Sequence, residues 1–316
     1  MKSIAILTNS YAPDFERFVR LHESVRAHAD PDVMHYVIVP ARDYARFRSI
    51  DSDRLQVWRE RDVLPKYIKP TDWLAAFMRR LSFVPATFRC SAVNLRHPLP
   101  PLRGWVLQQI LKLAAVREMK TDAVLVIDSD VVLVRRLNRE VFFRGDTVRL
   151  YDEPEAIGES MPRHTQWVEA AHELLGLPAP TGKLLTDNIA GVVTWDPKIV
   201  KACLARVEEA TGKDWATAFG AHLHISEFIL YGVYVRNFGT EAQRAYMEPT
   251  TLCHSHWEPK AMQYGAVQRF IEEFGPQDIA VHVQSNSQTS IELIDQLAAA
   301  LSGPAGQKGG TQAERG

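Results

Sequence analysis

The sequence predicts a mixed α/β fold in which helices flank a central, mostly parallel β-sheet. Up to about residue 145, apolar runs of strand length alternate with segments of helical periodicity, which is the pattern of consecutive β-α-β units. Hydrophobic residues make up 46% and charged residues 24% of the 316 residues, a balance typical of a globular protein with a substantial core.

The first half of the chain carries the clearest patterns. Ala123–Ile127 (AVLVI) is an uninterrupted apolar run of strand length, and Gly104–Met119 repeats apolar residues every three to four positions, as a helix does. Before them we predict strands at Ser3–Leu7, His35–Val39 and Leu55–Trp58, and a helix at Asp14–His28. In the second half we predict a strand at Gly191–Thr194, helices at Lys198–Ala210 and Ser226–Val235, and an extended segment at Leu252–His256.

Charge and cysteine content exclude several classes of protein. The 37 Lys and Arg residues against 38 Asp and Glu give a net charge of -1, so we expect no nucleic-acid partner. The three cysteines (Cys90, Cys203 and Cys253) are too few and too far apart for a disulfide framework or a CxxC zinc site. No apolar run has the length of a transmembrane helix, and Met1–Tyr11 lacks the core of a secretory signal, which predicts a cytoplasmic protein.

Two segments lie outside this regular pattern. Residues 65–103 form a long insertion in which aromatic and basic residues interleave between prolines. We favour a packed helix with a solvated basic face; the alternative is a lid, or a patch that contacts an anionic membrane and makes the protein peripheral at the inner membrane surface. Residues 302–316, which are rich in Gly, Gln and Ser, predict a disordered tail.

The sequence places two carboxylates directly after its clearest strand, in Asp128-Ser129-Asp130. Ligands of open α/β sheets bind at the carboxyl ends of the strands, which is where this triplet falls. Two carboxylates there are costly to bury unless they are paired or hold a cation. A hard divalent metal that also binds phosphate oxygens would remove that cost, whereas a pair of Asp residues in a solvated turn is the structural alternative.

Two enzyme families have carboxylates in such a position. The segment Val124–Val132 (VLVIDSDVV) fits the first motif of haloacid-dehalogenase-like phosphatases, in which Asp128 would be the phosphoryl nucleophile. That family also needs a downstream acidic metal motif, for which Gly145-Asp146 and Asp152 have the wrong spacing. The phosphatase is therefore our second interpretation.

The chain more closely resembles the metal-dependent, nucleotide-sugar glycosyltransferases of the GT-A fold, and is distantly similar to their family-8 group. The similarity extends in short islands from residue 3 to residue 262. The islands are the helix that carries Lys112 with the DxD strand, the stretch Asp187-Asn188-Ile189-Ala190-Gly191-Val192 and the segment Cys253–Lys260 (CHSHWEPK). The family has a His and a Lys six residues apart in its late motif, as His254 and Lys260 are.

The resemblance implies a GT-A-like domain and a hexosyltransferase. We expect residues 1–145 to form a donor-binding half that ends in the DxD strand, and residues 146–301 to form the acceptor-binding half of the same domain. The donor would be a nucleotide-diphospho-sugar, UDP-linked in our expectation. The acceptor would be a glycan, a lipid-linked sugar or a small molecule, in a role such as bacterial cell-envelope or capsule polysaccharide biosynthesis. A non-catalytic sugar-nucleotide binding protein on the same fold is a third interpretation.

The resemblance also implies roles for particular residues. Asp128 and Asp130 would hold Mn(II) or Mg(II), and His254 would complete the metal site. His256 is the alternative ligand, because residues that are two positions apart on a strand lie on the same face. Further contacts to the nucleotide-sugar would come from the side chains of Thr8, Asn9, Tyr11, Lys112, Ser129 and Lys260.

The acceptor half of the sequence offers three candidate catalytic residues. If the reaction inverts the anomeric centre, a carboxylate base must activate the acceptor hydroxyl, and Glu227 or Asp187 could serve. Asn188 is the third candidate, on the strength of the resemblance. For Glu227 the structural alternative is a residue that caps or pairs on a helix.

Overall fold

The computed structural model of the protein describes residues 2–71 and 90–302. The strands, in chain order, are β1 (Ile4–Asn9), β2 (Met34–Val39), β3 (Leu55–Arg59), β4 (Ile68–Pro70), β5 (Ala92–Asn94), β6 (Ala123–Ile127), β7 (Val131–Leu133), β8 (Phe143–Arg144), β9 (Thr147–Val148), β10 (Leu150–Tyr151), β11 (Glu153–Ile157), β12 (Leu185–Asp187), β13 (Val192–Trp195), β14 (Met247–Glu248), β15 (Cys253–His256) and β16 (Ala280–Val283). The helices are α1 (Phe15–His28), α2 (Tyr44–Arg48), α3 (Glu60–Val63), α4 (Gly104–Glu118), α5 (Pro162–Leu174), α6 (Pro197–Thr211), α7 (Trp215–Gly220), α8 (Glu227–Phe238), α9 (Glu241–Arg244), α10 (Tyr264–Glu273) and α11 (Ile291–Ser302).

The central sheet confirms the predicted α/β architecture. Its strand order is β13-β6-β1-β2-β3, with β6, β1, β2 and β3 parallel to one another and β13 antiparallel to β6. The strand β6 is buried at every residue, which explains why its sequence is continuously apolar rather than alternating. Helix α4 packs beside β1, and α6, α7 and α8 pack against α4. The mostly parallel order brings the carboxyl ends of β1, β2 and β6 to one edge.

Local sequence signals set the ends of the helices in the second half. The Asp196 side chain accepts a hydrogen bond of 2.8 Å from the Lys198 backbone N–H, and Pro197 occupies the first position of α6. Gly212 ends the same helix in the left-handed conformation, at φ 65°. These signals fix α6 within one residue of the predicted helix Lys198–Ala210.

A second, smaller sheet has the order β15-β16-β7. β15 and β16 are parallel, and β16 is antiparallel to β7. Only residues 128–130 separate β6 of the central sheet from β7 of this sheet, in a turn where the Val131 N–H donates to the Asp128 carbonyl oxygen at 3.2 Å. The DxD triplet therefore lies at the junction of the two sheets.

One large hydrophobic core joins the two predicted halves of the chain. Trp195 of β13 is fully buried, and its ring lies 5.4 Å from Phe228 and 5.7 Å from Tyr231, both on α8. The same cluster includes Leu7 of β1 and Val126 of β6. The division at residue 145 stays a prediction, and this cluster contains residues from both sides of it.

The described ends of the insertion at residues 65–103 are attached to the body of the protein. β4 and β5 pair antiparallel, Tyr67 donates a hydrogen bond to Asp214, and the Asn94 side-chain amide donates to Thr217 Oγ1 at 2.9 Å. Residues 72–89 of the insertion and residues 303–316 of the predicted tail lie outside the described residues. Within the described ranges no helix is both long enough and apolar enough to cross a membrane.

Candidate functional site

A buried lysine joins the DxD triplet to helix α8. Lys112 Nζ, on α4, lies 3.0 Å from Asp128 Oδ1 and 3.2 Å from Glu227 Oε1. Lys112 and Glu227 are buried, whereas the side chain of Asp128 is 56% exposed. The ammonium group is therefore shared between one carboxylate inside the protein and one that faces solvent.

The environment favours a charged lysine in this group. Burial alone lowers the pKa of Lys112, but the Asp128 and Glu227 carboxylates outweigh it and raise that pKa above its usual value. For Glu227, burial raises the pKa, and the attraction of Lys112 opposes the rise. Lys112 is therefore held in its charged form, and Asp128 is the exposed carboxylate that pairs with it.

Hydrogen bonds at the start of α8 hold Glu227 in place. Its backbone N–H donates to Gln109 Oε1 at 2.9 Å, and Ser226 caps the helix by accepting from the Ile229 N–H at 3.4 Å. Gln109 and Lys112 lie on one face of α4, so this helix supplies a partner to both the backbone and the side chain of Glu227. The sequence analysis missed Gln109, because the regular apolar pattern of this helix does not indicate that one of its polar residues is buried.

Asp130 meets a histidine that the sequence analysis also missed. Asp130 Oδ1 lies 3.4 Å from His282 Nε2, and its Oδ2 accepts a 2.9 Å hydrogen bond from the Ser285 N–H. Burial raises the pKa of Asp130, but the His282 imidazole and these hydrogen bonds bring it below its usual value. His282 is buried, and its ring packs 4.3 Å from that of Trp257, which is half exposed.

His254 and His256 lie on the neighbouring strand β15, out of phase with His282. The register pairs His254 with Val281 and His256 with Val283, so both side chains point away from the face that carries His282. The His254 ring packs 4.1 Å from Phe270, and His256 Nε2 donates to the Lys260 carbonyl oxygen at 3.1 Å. Lys260 is exposed. Assignment of these residues to metal and nucleotide stays a prediction; no contact of the described residues joins them to Asp128 or Asp130.

A pocket of about 140 Å³ opens at the carboxyl ends of β1 and β2. It is lined by Asn9, Ser10, Tyr11, Ile38, Pro40, Arg42, Glu60, Ser91, Gly104, Leu107, Gln108 and Leu111. Two of its polar atoms, Asn9 Oδ1 and Ser10 Oγ, are buried and have no hydrogen-bond partner among the described residues. Such atoms are costly in a folded protein unless a ligand or water satisfies them, which makes this pocket a candidate binding site.

The predicted ligand-binding residues around β1 and β6 therefore differ in accessibility. Asn9 and Tyr11 line the pocket, as expected for binding residues. Thr8 is fully buried beneath it, and its hydroxyl donates to the Ile127 carbonyl oxygen at 2.7 Å. Ser129, between the two aspartates, is also buried. Thr8 and Ser129 are thus placed to support the site rather than to reach into it.

Asp187 ends β12 and Asn188 follows it, but their side chains face different surroundings. The Asp187 carboxylate accepts from the backbone N–H groups of Asn188 and Ile189, and burial raises its pKa. The Asn188 amide is fully buried and donates to the Tyr151 carbonyl oxygen at 3.0 Å and to Asp152 Oδ1 at 2.8 Å. The geometry makes Asn188 a support for the fold of this loop, and leaves Asp187 the more accessible of the two.

The metal-ligating potential of the site rests on few donors. Among residues 2–71 and 90–302, no three or more His, Cys, Asp or Glu side chains are grouped as a metal site. The exposed carboxylate of Asp128 and the carboxylate of Asp130 nevertheless are hard oxygen donors of the kind Mg(II) and Mn(II) bind, and such sites often include substrate phosphates and waters. The Nδ1 atom of His282, which is buried without a partner in the described part of the chain, adds an imidazole to this donor chemistry.

The chain is matched over residues 3–301 by the model of a protein family described as "Family of unknown function (DUF6492)", and it belongs to that family. No curated protein matches the chain.

Proposed function

We propose that the protein is a glycosyltransferase of GT-A type, which moves a sugar from a nucleotide-diphospho-sugar, UDP-linked in our proposal, to an acceptor hydroxyl. The observation that carries the proposal is the ion pair of Lys112 with Asp128 at the carboxyl edge of a mostly parallel sheet. Ligands of open α/β sheets bind at this edge. A mixed α/β fold with such a sheet is compatible with the GT-A fold.

The pocket at β1 and β2 supports a nucleotide as the ligand. Its unpaired Asn9 and Ser10 oxygens could bind the polar edge of a nucleobase or the hydroxyls of a ribose. Tyr11 supplies an aromatic ring at the same place. In this arrangement the base and ribose lie in the pocket, and the diphosphate points toward the DxD triplet.

Asp128 and Asp130 are the residues that would hold a divalent cation, with His254, His256 or His282 as the candidate imidazole. When bound, such a cation supplies Lewis-acid stabilisation of the diphosphate leaving group. Lys112 adds an ammonium charge beside Asp128, and Lys260 is a second candidate cation for the pyrophosphate. Both lysines favour an anionic leaving group over a neutral one.

On the acceptor side, Asp187 and Glu227 are the candidate bases. Burial raises the pKa of each, which moves a carboxylate toward the strength that proton abstraction near neutral pH requires. Glu227 is held by Lys112, so its proton affinity depends on that ion pair. Among residues 2–71 and 90–302, the Asp187 carboxylate accepts hydrogen bonds only from backbone N–H groups, which favours Asp187 as the base and Glu227 as a positioning residue.

The test is thermal unfolding of the purified protein with UDP, GDP or dTDP, each with and without Mn(II). A ligand that binds the folded state stabilises it by about 2.7 kcal/mol at one hundred times its dissociation constant. We expect UDP to stabilise the protein only with Mn(II), and Asp130→Asn to abolish the effect. The matched control is Asp53→Asn, because Asp53 ends an identical Ile-Asp-Ser-Asp tetrapeptide, residues 50–53, in an exposed position.

Other outcomes would redirect the proposal. Stabilisation by GDP or dTDP would keep the mechanism and change the donor. Metal stabilisation without any nucleotide effect, together with hydrolysis of simple phosphomonoesters, would favour the phosphatase in which Asp128 is the nucleophile. Nucleotide-sugar binding without hydrolysis or transfer in the presence of metal would indicate a non-catalytic binding protein.

A further inference from the structure

Arg163, near the start of α5, stacks on two tryptophans. The centre of its guanidinium group lies 4.8 Å from the ring of Trp105 and 5.1 Å from that of Trp167. The two indole rings are themselves 5.3 Å apart and nearly parallel, at 29°. Two aromatic rings therefore pack against an otherwise exposed cation.

The edge of this guanidinium group has no protein partner among the described residues, for which no hydrogen bond or ion pair of Arg163 is found. Arg144 shows the contrasting case: it stacks 4.3 Å from Tyr246, but its edge donates to the Ala245 carbonyl oxygen at 2.8 Å and pairs with Glu248 at 3.3 Å. Arg163 thus keeps its planar set of N–H donors available. A guanidinium group held in this way is pre-organised for bidentate binding of a carboxylate or a phosphate.

Arg163 contacts Trp105, which lies on the same helix as Gln109 and Lys112 of the candidate site. Trp105, Gln109 and Lys112 follow one another at helical spacing on α4, and Gln109 Nε2 donates to the Trp105 carbonyl oxygen at 3.3 Å. Seven residues of helix from Trp105 to Lys112 span about 10 Å. That distance is comparable with the length of a short oligosaccharide, so a ligand at Arg163 could extend to the proposed reaction centre.

The other titratable groups near Arg163 do not compete with it as the positive charge that would attract an anion. The His164 ring packs 4.4 Å from Trp167, and burial lowers the pKa of His164, although the nearby Asp187 carboxylate opposes this. Asp187 is the carboxylate that acts on His164, and its Oδ1 already accepts hydrogen bonds from two backbone N–H groups. The repulsion it exerts on an anion is therefore reduced.

We infer that the stacked guanidinium group of Arg163 binds an anionic group, a carboxylate or a phosphate, on a saccharide. That the ligand is a saccharide, and that it is the acceptor, rests on the proposed glycosyltransferase function; the binding of an anion by Arg163 does not. The face between α4 and α5 then selects acidic or phosphorylated sugars over neutral ones.

The experiment is saturation-transfer NMR of the full chain with glucuronate, glucose 6-phosphate and glucose, followed by affinity measurements for those that bind. We expect at least one anionic sugar to bind and glucose to bind at least tenfold more weakly. Arg163→Ala should weaken the anionic sugar at least tenfold, and Arg163→Lys should lie between, since it keeps the charge but loses the planar fork. The control Arg144→Ala should leave the affinity unchanged.

Each result decides the inference separately from the proposed function. Equal binding of glucose and the anionic sugars, no binding of either anionic sugar, or unchanged affinity in Arg163→Ala would overturn it. Preference for glucuronate or for glucose 6-phosphate would identify the carboxylate or the phosphate as the bound group. The nucleotide and Mn(II) thermal shift, measured on the same samples, reports on the transferase proposal alone, so anion binding without a response to UDP, GDP or dTDP would retain the site and reject its acceptor role.

Discussion

Lys112 and Glu227 form an ion pair that is buried at both ends, with Lys112 Nζ 3.2 Å from Glu227 Oε1. Buried ion pairs are weak evidence of stabilisation, because desolvation of the two charges offsets much of their attraction. Here the lysine also pairs with the exposed Asp128 at 3.0 Å, so it links the interior of α8 to the DxD triplet. The arrangement is therefore better explained by a function at Asp128 than by stability.

Replacement of Lys112 tests how the group is held together. In Lys112→Met the Glu227 carboxyl loses its buried partner, and removing one partner of a buried pair costs about 3–5 kcal/mol. We expect a loss of that size in the free energy of unfolding, measured with urea. In Lys112→Met/Glu227→Leu, which removes both charges, most of the loss should be recovered. If the double variant were as destabilised as the single variant, the stability contributions of Lys112 and Glu227 would not be coupled through their ion pair.

The two kinds of histidine near the DxD triplet give opposite expectations for metal binding. His282 Nε2 lies 3.4 Å from Asp130 Oδ1, whereas His254 packs on Phe270 from the other face of the small sheet. We expect His282→Gln to weaken Mn(II)-dependent stabilisation by UDP at least tenfold in apparent affinity. His254→Gln should change it less than threefold. The reverse pattern would establish His254 as the metal ligand.

The sequence was sufficient for the main elements of the first half, but it did not predict helices α5, α10 and α11 or the pairings between strands. The strand Ala123–Ile127 was predicted at its observed bounds, because a run that is buried on both faces is apolar at each position. His282 was missed, because its meeting with Asp130 depends on strands β7 and β16, which are far apart in the sequence. The hydrogen bond from the Ser285 N–H to Asp130 depends on the same strand pairing, because Ser285 follows β16.

Thr8 shows a different limit, since it was predicted to follow the first strand and instead lies inside β1, fully buried. A hydroxyl after the first strand suggested a ligand contact, but this one is buried in a chain of hydrogen bonds. Thr8 donates to Ile127, so His35 Nε2 must donate to Thr8 at 3.0 Å. His22 Nδ1 then donates to His35 Nδ1 at 3.1 Å, and Ser52 donates to His22 Nε2 at 2.8 Å.

The chain of hydrogen bonds from Thr8 to Ser52 predicts that the protein loses stability in mild acid. Burial, with the nearby Arg26 and Arg54 charges, lowers the pKa of His22 to about 4. The unfolded state then binds more protons than the folded state between pH 6.5 and 4, so stability falls as the pH falls. We expect His22 to account for a decrease of about 3 kcal/mol across that window, measured by urea unfolding at each pH.

A phenylalanine at His22 isolates this contribution. His22→Phe removes the titrating group, so stability should depend less on pH between 6.5 and 4, whatever the variant loses at pH 7. His97→Gln, which removes an exposed histidine, is the matched control and should keep the wild-type slope. A His22→Phe protein with the wild-type slope would rule out His22 as the source of acid sensitivity.

Gly232 on α8 lies where a side chain has no room, because a Cβ atom there would overlap the amide of Asn188. An alanine normally stabilises a helix interior by about 1 kcal/mol relative to glycine, but overpacking a buried contact costs about 1–3 kcal/mol. We therefore expect Gly232→Ala to destabilise the protein by up to about 2 kcal/mol, measured by urea unfolding. In Gly232→Ala/Asn188→Ala the added methyl group should cost less, because the amide that it meets is gone. Gly265→Ala on α10, where a Cβ atom meets nothing within 4 Å, should be neutral or slightly stabilising; destabilisation there equal to that at Gly232 would contradict the packing explanation.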